Sequence, residues 1–226
     1  MSLTIDCRPL PHFASKDLAS VRAVFSGATP IPLGQAWLPA PEPDFAPGIV
    51  RTGWRENSLI VFADLSDTDV FTLAKRHNDR FWELGDTFEI FLQPPGQDAY
   101  VELHVAPNNL RLQLRFDKPP AARDADRFTS ALIHDQVFES QTWVKPDKQG
   151  WCVFAELPLM ALIERQALGP PTVLSSSTWR FSFSRYDATH GRETAVISSS
   201  SPHTKPAFHR PDEWGHLRFS LRPQRP

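Results

Sequence analysis

The sequence predicts an all-β fold, an antiparallel β-sandwich with a single short helix. Three observations carry that expectation. Apolar and polar residues alternate with period two through several short segments, the pattern of a strand with one buried face. Tight turn signals join those segments into a meander. And 22 prolines in 226 residues interrupt the chain too often for long helices.

The elements follow in order. Residues 1–34 read as a Pro-rich lead-in, and loops with one or two edge strands continue to residue 48. "IVRTGWRENSLIVFADLSD" reads as two strands around the turn "RENS". "DTFEIFLQP", "AYVELHVAP" and "LRLQLRFD" continue the meander through "PGQD" and "NN". Residues 118–130, "KPPAARDADRFTS", read as a polar loop, and "QTWVKPDKQGWCVFAELPL" as a hairpin. "PLMALIERQAL" is the one helical candidate, with proline at the position where a helix best tolerates it. "TWRFSFSRYDA" and "WGHLRFSLRP" are closing strands, with the irregular "SSSSPHTKPAFHRPDE" between them. No repeat and no linker divides the chain, so one domain over residues 1–226 is expected. A two-sheet sandwich, immunoglobulin-like or jelly-roll-like, fits best, with a flattened barrel as the alternative.

Composition narrows the function classes. A net charge of −2 and a pI near 6.4 give no basic footprint for nucleic acid. No segment has the apolar length of a membrane span, and no charged start followed by an apolar run suggests a signal peptide. The two cysteines, Cys7 and Cys152, define no disulfide framework and no zinc spacing. No nucleophile elbow or phosphate loop is present, so an enzyme is not expected. Seven tryptophans and 16 phenylalanines stand out against this modest charge.

The meander has a polar side. Phe88, Ile90 and Leu92 alternate with Glu89; Val101, Leu103 and Val105 with Tyr100, Glu102 and His104; and Leu110, Leu112 and Leu114 with Arg111, Gln113 and Arg115. If these strands are neighbours in phase, one sheet face gathers Glu89, Tyr100, Glu102, His104, Arg111, Gln113 and Arg115, with Trp82 at its edge. Such a mixture of acceptors, forked donors and rings suits a sugar, whose hydroxyls pair with planar polar groups and whose C–H face stacks on aromatics. The same pattern also describes a solvated face stapled by Glu–Arg pairs. Glu89 and Glu102 could alternatively form the carboxylate pair of a glycosidase.

The succession "GWRENSLIVFADLSDTDV", "RHNDRFWELGDTFEIFLQP", "AYVELHVAPNN", "WCVFAELPL", "WRFSFSRYD" and "FHRPDEWGHLRF" resembles the family 9 carbohydrate-binding modules and their DOMON-like relatives, over residues 35–221. The resemblance implies a non-catalytic sandwich of about ten or eleven strands that binds a sugar. It implies Trp82 as a clamping ring, Glu89 as the strand glutamate, and Tyr100, Glu102, Gln113 and Arg115 as the nearest polar matches. His104, from the same face, and Arg185, on a closing strand, are counted with them as ligand-binding candidates. The second clamping tryptophan is absent from "ATHGRETAVISSSSPHTKP", where His190 or His203 is the available ring. Calcium is a structural ion in the family, and "DLSDTD" offers Asp64, Asp67 and Asp69 for it. The DOMON side of the resemblance implies haem as the alternative ligand, with His77 or His104 as axial candidates. A partner-binding scaffold anchored on exposed rings is a further reading.

Overall fold

Twelve strands and two short helices appear in a computed structural model, which describes residues 3–118, 125–162 and 178–220. The strands are β1 (Thr4–Pro9), β2 (Ile31–Pro32), β3 (Gly48–Arg55), β4 (Ser58–Ser66), β5 (Thr87–Gln93), β6 (Tyr100–Val105), β7 (Arg111–Phe116), β8 (Glu139–Val144), β9 (Gly150–Pro158), β10 (Thr178–Asp187), β11 (Val196–Ser199) and β12 (Gly215–Phe219). The helices are α1 (Leu18–Val24) and α2 (Ala125–Ala131).

The hydrogen-bonded order is β7-β6-β5-β10-β12-β1-β3-β4-β9-β8, with β11 added to β10 and β2 to β3. β1 joins the two halves: Thr4–Cys7 pair with β12, then Arg8 and Pro9 pair with β3. Both of these pairings are parallel, so the all-antiparallel expectation fails at this seam. The two arms share one core. Phe88, Ile90, Val101, Leu103, Phe181 and Phe183 from one arm belong to the same buried cluster as Val61, Ala63, Val153 and Ala155 from the other. The architecture is therefore mostly β, one long sheet folded so that its inner faces meet.

The helices differ from expectation. α1 lies within the stretch read as loop; Asp17 caps it by accepting from the Ser20 amide at 2.8 Å, and Val21 is its buried anchor. α2 occupies the second half of the stretch read as a polar loop. Where "PLMALIERQAL" was expected to be helical, Leu159–Ala161 form a single 3-10 turn, and residues 163–168 lie outside the described ones. Cys7 and Cys152 are both free and buried, in different clusters.

The arm β7-β6-β5-β10 positions the candidate site. Every residue of β5 and β6 is buried, the polar ones included. A second apolar layer therefore covers the outer face of this arm.

Candidate ligand site

Side chains of directly paired residues project to the same face of a sheet. Phe88, Ile90 and Leu92 pair with Val105, Leu103 and Val101 on one side and with Arg185, Phe183 and Phe181 on the other; these form the inner face. On the outer face Glu89 lies opposite His104 and Ser184, and Phe91 opposite Glu102. Two apolar groups flank these polar residues. Phe81, Leu112, Leu114 and Ala131, with Trp82 and Phe128, lie on one side; Phe91, Tyr100, Phe208 and Trp214 lie on the other.

Trp82 sits in a 3-10 turn, Phe81–Glu83, fixed by the following Gly-Asp. Gly85 has φ +137°, and a Cβ there would lie 2.6 Å from the Phe71 carbonyl oxygen, so this turn requires glycine. Asp86 then accepts from the amides of Phe71 at 2.7 Å and Ala188 at 2.9 Å. The half-buried indole of Trp82 lies 5.7 Å from the His104 ring, and Phe128 stands edge-on to it at 5.7 Å.

Beneath Trp82 runs a chain of titratable groups. His104 Nε2 hydrogen-bonds Glu102 Oε1 at 2.6 Å, and its Nδ1 faces Glu89 Oε1 at 3.3 Å, outside hydrogen-bond geometry. His209 Nε2 approaches Glu102 Oε2 at 3.5 Å, and its Nδ1 meets the Tyr100 hydroxyl at 2.6 Å. Glu89, Glu102 and His104 are buried, whereas the His209 side chain is 37% exposed. Glu89 Oε2 and Glu102 Oε2 make no hydrogen bond. Burial pushes the Glu89 carboxyl up to about 8, against the pull of His104 and with the push of Glu102. Burial acts the same way on Glu102, but His209 and His104 outweigh it and hold that carboxyl low. Burial disfavours the His104 cation, yet its two glutamates raise its affinity for a proton. A buried carboxylate–imidazolium pair, Glu102 and His104, beside a carboxyl that retains its proton, Glu89, is the arrangement this environment favours.

The structure thus brings together Trp82, Glu89, Glu102, His104 and Tyr100, but inside the molecule and not on a wet face. It removes Gln113 and Arg115 from the set. Both pair with inner-face residues, Leu103 and Val101. Gln113 binds the carbonyls of Ile133 and Asp135 and the Val137 amide; Arg115 donates to the Leu162 carbonyl at 3.4 Å. Arg185 is also an inner-face residue, fully buried against Asp67 at 2.6 Å and Asp187 at 3.1 Å.

The proposed calcium loop does not converge either. Asp64 pairs with Arg22 at 2.8 Å, Asp67 with Arg185, and Asp69 with His190 at 2.8 Å. Asp67 instead gathers with Asp86 and Asp187, and the Arg185 guanidinium already supplies the positive charge there. The oxygens of these three carboxylates are engaged by that guanidinium and by the amides of Asp69, Phe71 and Ala188. Of the two histidines considered for haem, His104 has a carboxylate facing each ring nitrogen, and His77 Nδ1 accepts from the Arg111 amide at 3.0 Å. Of the rings considered for a second wall, His203 is buried against Glu213, and His190 packs on Phe71. The ring beside Glu102 is His209, which the sequence reading missed. It lies in an aperiodic loop, and the sole hint was the aromatic and histidine content of "FHRPDEW", which needs an apolar surface to pack on.

No family model matches the sequence, and no curated protein matches it. Solved structures do match in fold. A protein from Bacteroides uniformis described as carbohydrate-binding has a TM-score of 0.72 at 16% identity, covering 97% of this chain and 100% of its own. A family 9 carbohydrate-binding module from Caldicellulosiruptor kristjanssonii, in complex with cellotriose, has a TM-score of 0.62 at 16% identity, with 97% and 94% covered. A structure of a family 9 module from the same organism with glucose gives 0.60 at 16% identity, with 97% and 96% covered. At this identity the likeness is one of fold.

Proposed function

We propose that the chain is a non-catalytic carbohydrate-binding domain that takes a sugar on the outer face of β5 and β6, with Trp82 as its ring contact and Glu89 and Glu102 as hydrogen-bond partners of its hydroxyls. The observation that carries this reading is the pair of buried oxygens without a hydrogen bond, Glu89 Oε2 and Glu102 Oε2, beside a half-buried tryptophan. Buried polar oxygens without a partner are costly, and paired sugar hydroxyls, which both donate and accept, would satisfy both. The fold shared with modules solved in complex with glucose and cellotriose gives the ligand class. The two carboxylates do not have the layout of a glycosidase, which holds them apart across the scissile bond; here the imidazole of His104 lies between them.

Few stacking rings predict millimolar to micromolar affinity, about 4–8 kcal/mol. Intrinsic fluorescence titration against glucose, cellobiose and cellotriose tests the reading. A saturable change is expected, lost in Trp82→Ala and weakened at least tenfold in Glu89→Gln. Because Trp82 packs on His104 and Phe128, its truncation should also cost about 1–3 kcal/mol of stability. A flat response from folded parent protein, or variants that bind as the parent does, would refute the assignment.

A further inference from the structure

The arm β3-β4-β9 has an outer face of its own, across the shared core from Trp82. Ile60, Phe62, Cys152 and Phe154 form its apolar layer, covered by Val21 of α1 and by Phe25. Beside this layer a cavity of about 190 Å3 is lined by Arg22, Phe25, Ser26, Arg51, Phe62 and Asp64. Arg51 on β3 lies directly opposite Phe62 on β4, so its side chain projects to this face. Arg55, four residues along β3 and on the same face, pairs with Glu156 at 3.2 Å. Arg51 is half-buried and makes no hydrogen bond or ion pair among the described residues. Arg22 holds Asp64 Oδ2 at 2.8 Å and the Cys152 sulfur at 3.2 Å, both through one nitrogen, Nη2. The rest of its guanidinium faces the cavity and solvent.

We propose that this cavity is a second ligand site, for a small carboxylate that carries hydroxyls, such as a uronic acid. Arg51 is the principal donor to the carboxylate, Arg22 the second, and Asp64 accepts a neighbouring hydroxyl. A charged group drawn partly out of water is costly without a partner, and the planar fork of a guanidinium matches a carboxylate through two parallel hydrogen bonds. The charge of the lining selects the class of anion. Two guanidiniums and one carboxylate leave one net positive charge, which a single carboxylate neutralises. A dianionic phosphate exceeds it and is repelled by Asp64. Size narrows the class further. Pockets that enclose drug-sized ligands run from about 300 to 1,000 Å3, so a cavity of about 190 Å3 takes one small ring or a short chain. The site lies on the other arm and does not require the sugar reading of the β5–β6 face.

The test is calorimetric titration of the full chain with sodium glucuronate at constant ionic strength, with glucose, acetate and sulfate as competitors. One glucuronate per chain is expected at this site. Arg51→Gln should weaken it at least tenfold, and Arg51→Lys, which keeps the charge but loses the fork, should fall between the two. Arg51 has no partner to lose, so both variants should melt with the parent. Arg218→Gln removes a charge that pairs with Asp6 and should bind as the parent does. Glucose should not displace glucuronate, and acetate and sulfate should each bind at least tenfold more weakly. Absence of binding by the parent, equal binding by Arg51→Gln, or a matching loss in Arg218→Gln overturns the proposal. Displacement by glucose, or acetate or sulfate binding as tightly as glucuronate, overturns it as well. Cellotriose titration of the same samples reads the β5–β6 face separately.

Discussion

Replacing Arg185 by methionine separates a structural arginine from a ligand-binding one. The guanidinium lies on the inner face, fully buried, with Asp67 at 2.6 Å and Asp187 at 3.1 Å, and it also donates to the Ser66 and Ala46 carbonyls. Methionine fills most of the volume but leaves buried carboxylates without their countercharge. Breaking a buried ion pair from one side costs about 3–5 kcal/mol. For 226 residues the unfolding entropy near the midpoint is about 0.5 kcal/mol/K, so Tm should fall by about 6–11 °C. The penalty should depend on pH. At lower pH the orphaned carboxylates take up protons, and one extra proton held across one pH unit is worth about 1.4 kcal/mol. Urea unfolding of parent and variant at pH 5.0 and 7.5 gives the comparison; the loss should be smaller at pH 5.0 by at least that amount. Sugar titrations of folded variant should match the parent, because the outer face is untouched. A Tm within about 2 °C of the parent, or a selective loss of sugar binding, would return Arg185 to the ligand site and refute the inner-face argument.

Two further outcomes are expected. Asp187 is pushed up to about 7 by burial, with Arg185 opposing and Asp67 and Asp69 adding. A carboxyl raised in the folded state favours folding fully below its unfolded pKa near 3.9, and that contribution is lost as pH rises towards 7. Asp187→Asn should therefore flatten the decline of stability between pH 4 and pH 7, as read from urea midpoints; an unchanged slope would exclude Asp187 as its source. Gln113→Ala should cost about 1–3 kcal/mol, the penalty for buried polar groups left without a partner, since this side chain ties down Ile133, Asp135 and Val137. Its sugar affinity should equal the parent's; a tenfold loss would put Gln113 back in the site.

Much of the strand order is legible because period two is a local property. The segments from Gly48 to Phe116 appear as β3 to β7 with the expected turns, since each turn carries its own signal. What is not legible depends on contacts distant in sequence. The parallel seam at β1 joins Thr4 to His216 and Arg8 to Gly53, and no local pattern encodes it. α1 spans only Leu18–Val24, so packing of Val21 and Phe25 against Phe62 and Phe154 sustains it, not propensity.

The site was half legible for a more specific reason. Alternation says which residues of one strand share a face, but not how the phase of one strand meets that of the next, and a shift of one residue reverses every side chain. Between β5 and β6 the simplest phase is the right one, so Glu89 does meet His104. Between β6 and β7 it is not. The turn at Ala106–Asn109, where Asn109 has φ +63° and hydrogen-bonds the Ala106 carbonyl at 2.9 Å, sets Leu112 opposite His104 and Leu114 opposite Glu102. A sheet with one wet face would reject leucines there. This arm tolerates them because Trp82, Phe128 and their neighbours cover it. That phase also determines the chemistry of the site. With Gln113 and Arg115 turned to the inner face, Glu102 meets the imidazoles of His104 and His209 at 2.6 Å and 3.5 Å. A guanidinium in their place would neutralise the carboxylate permanently, whereas an imidazole can give up its proton. The same one-residue phase that hides the site from local pattern therefore leaves this carboxylate an oxygen without a hydrogen bond, Glu102 Oε2.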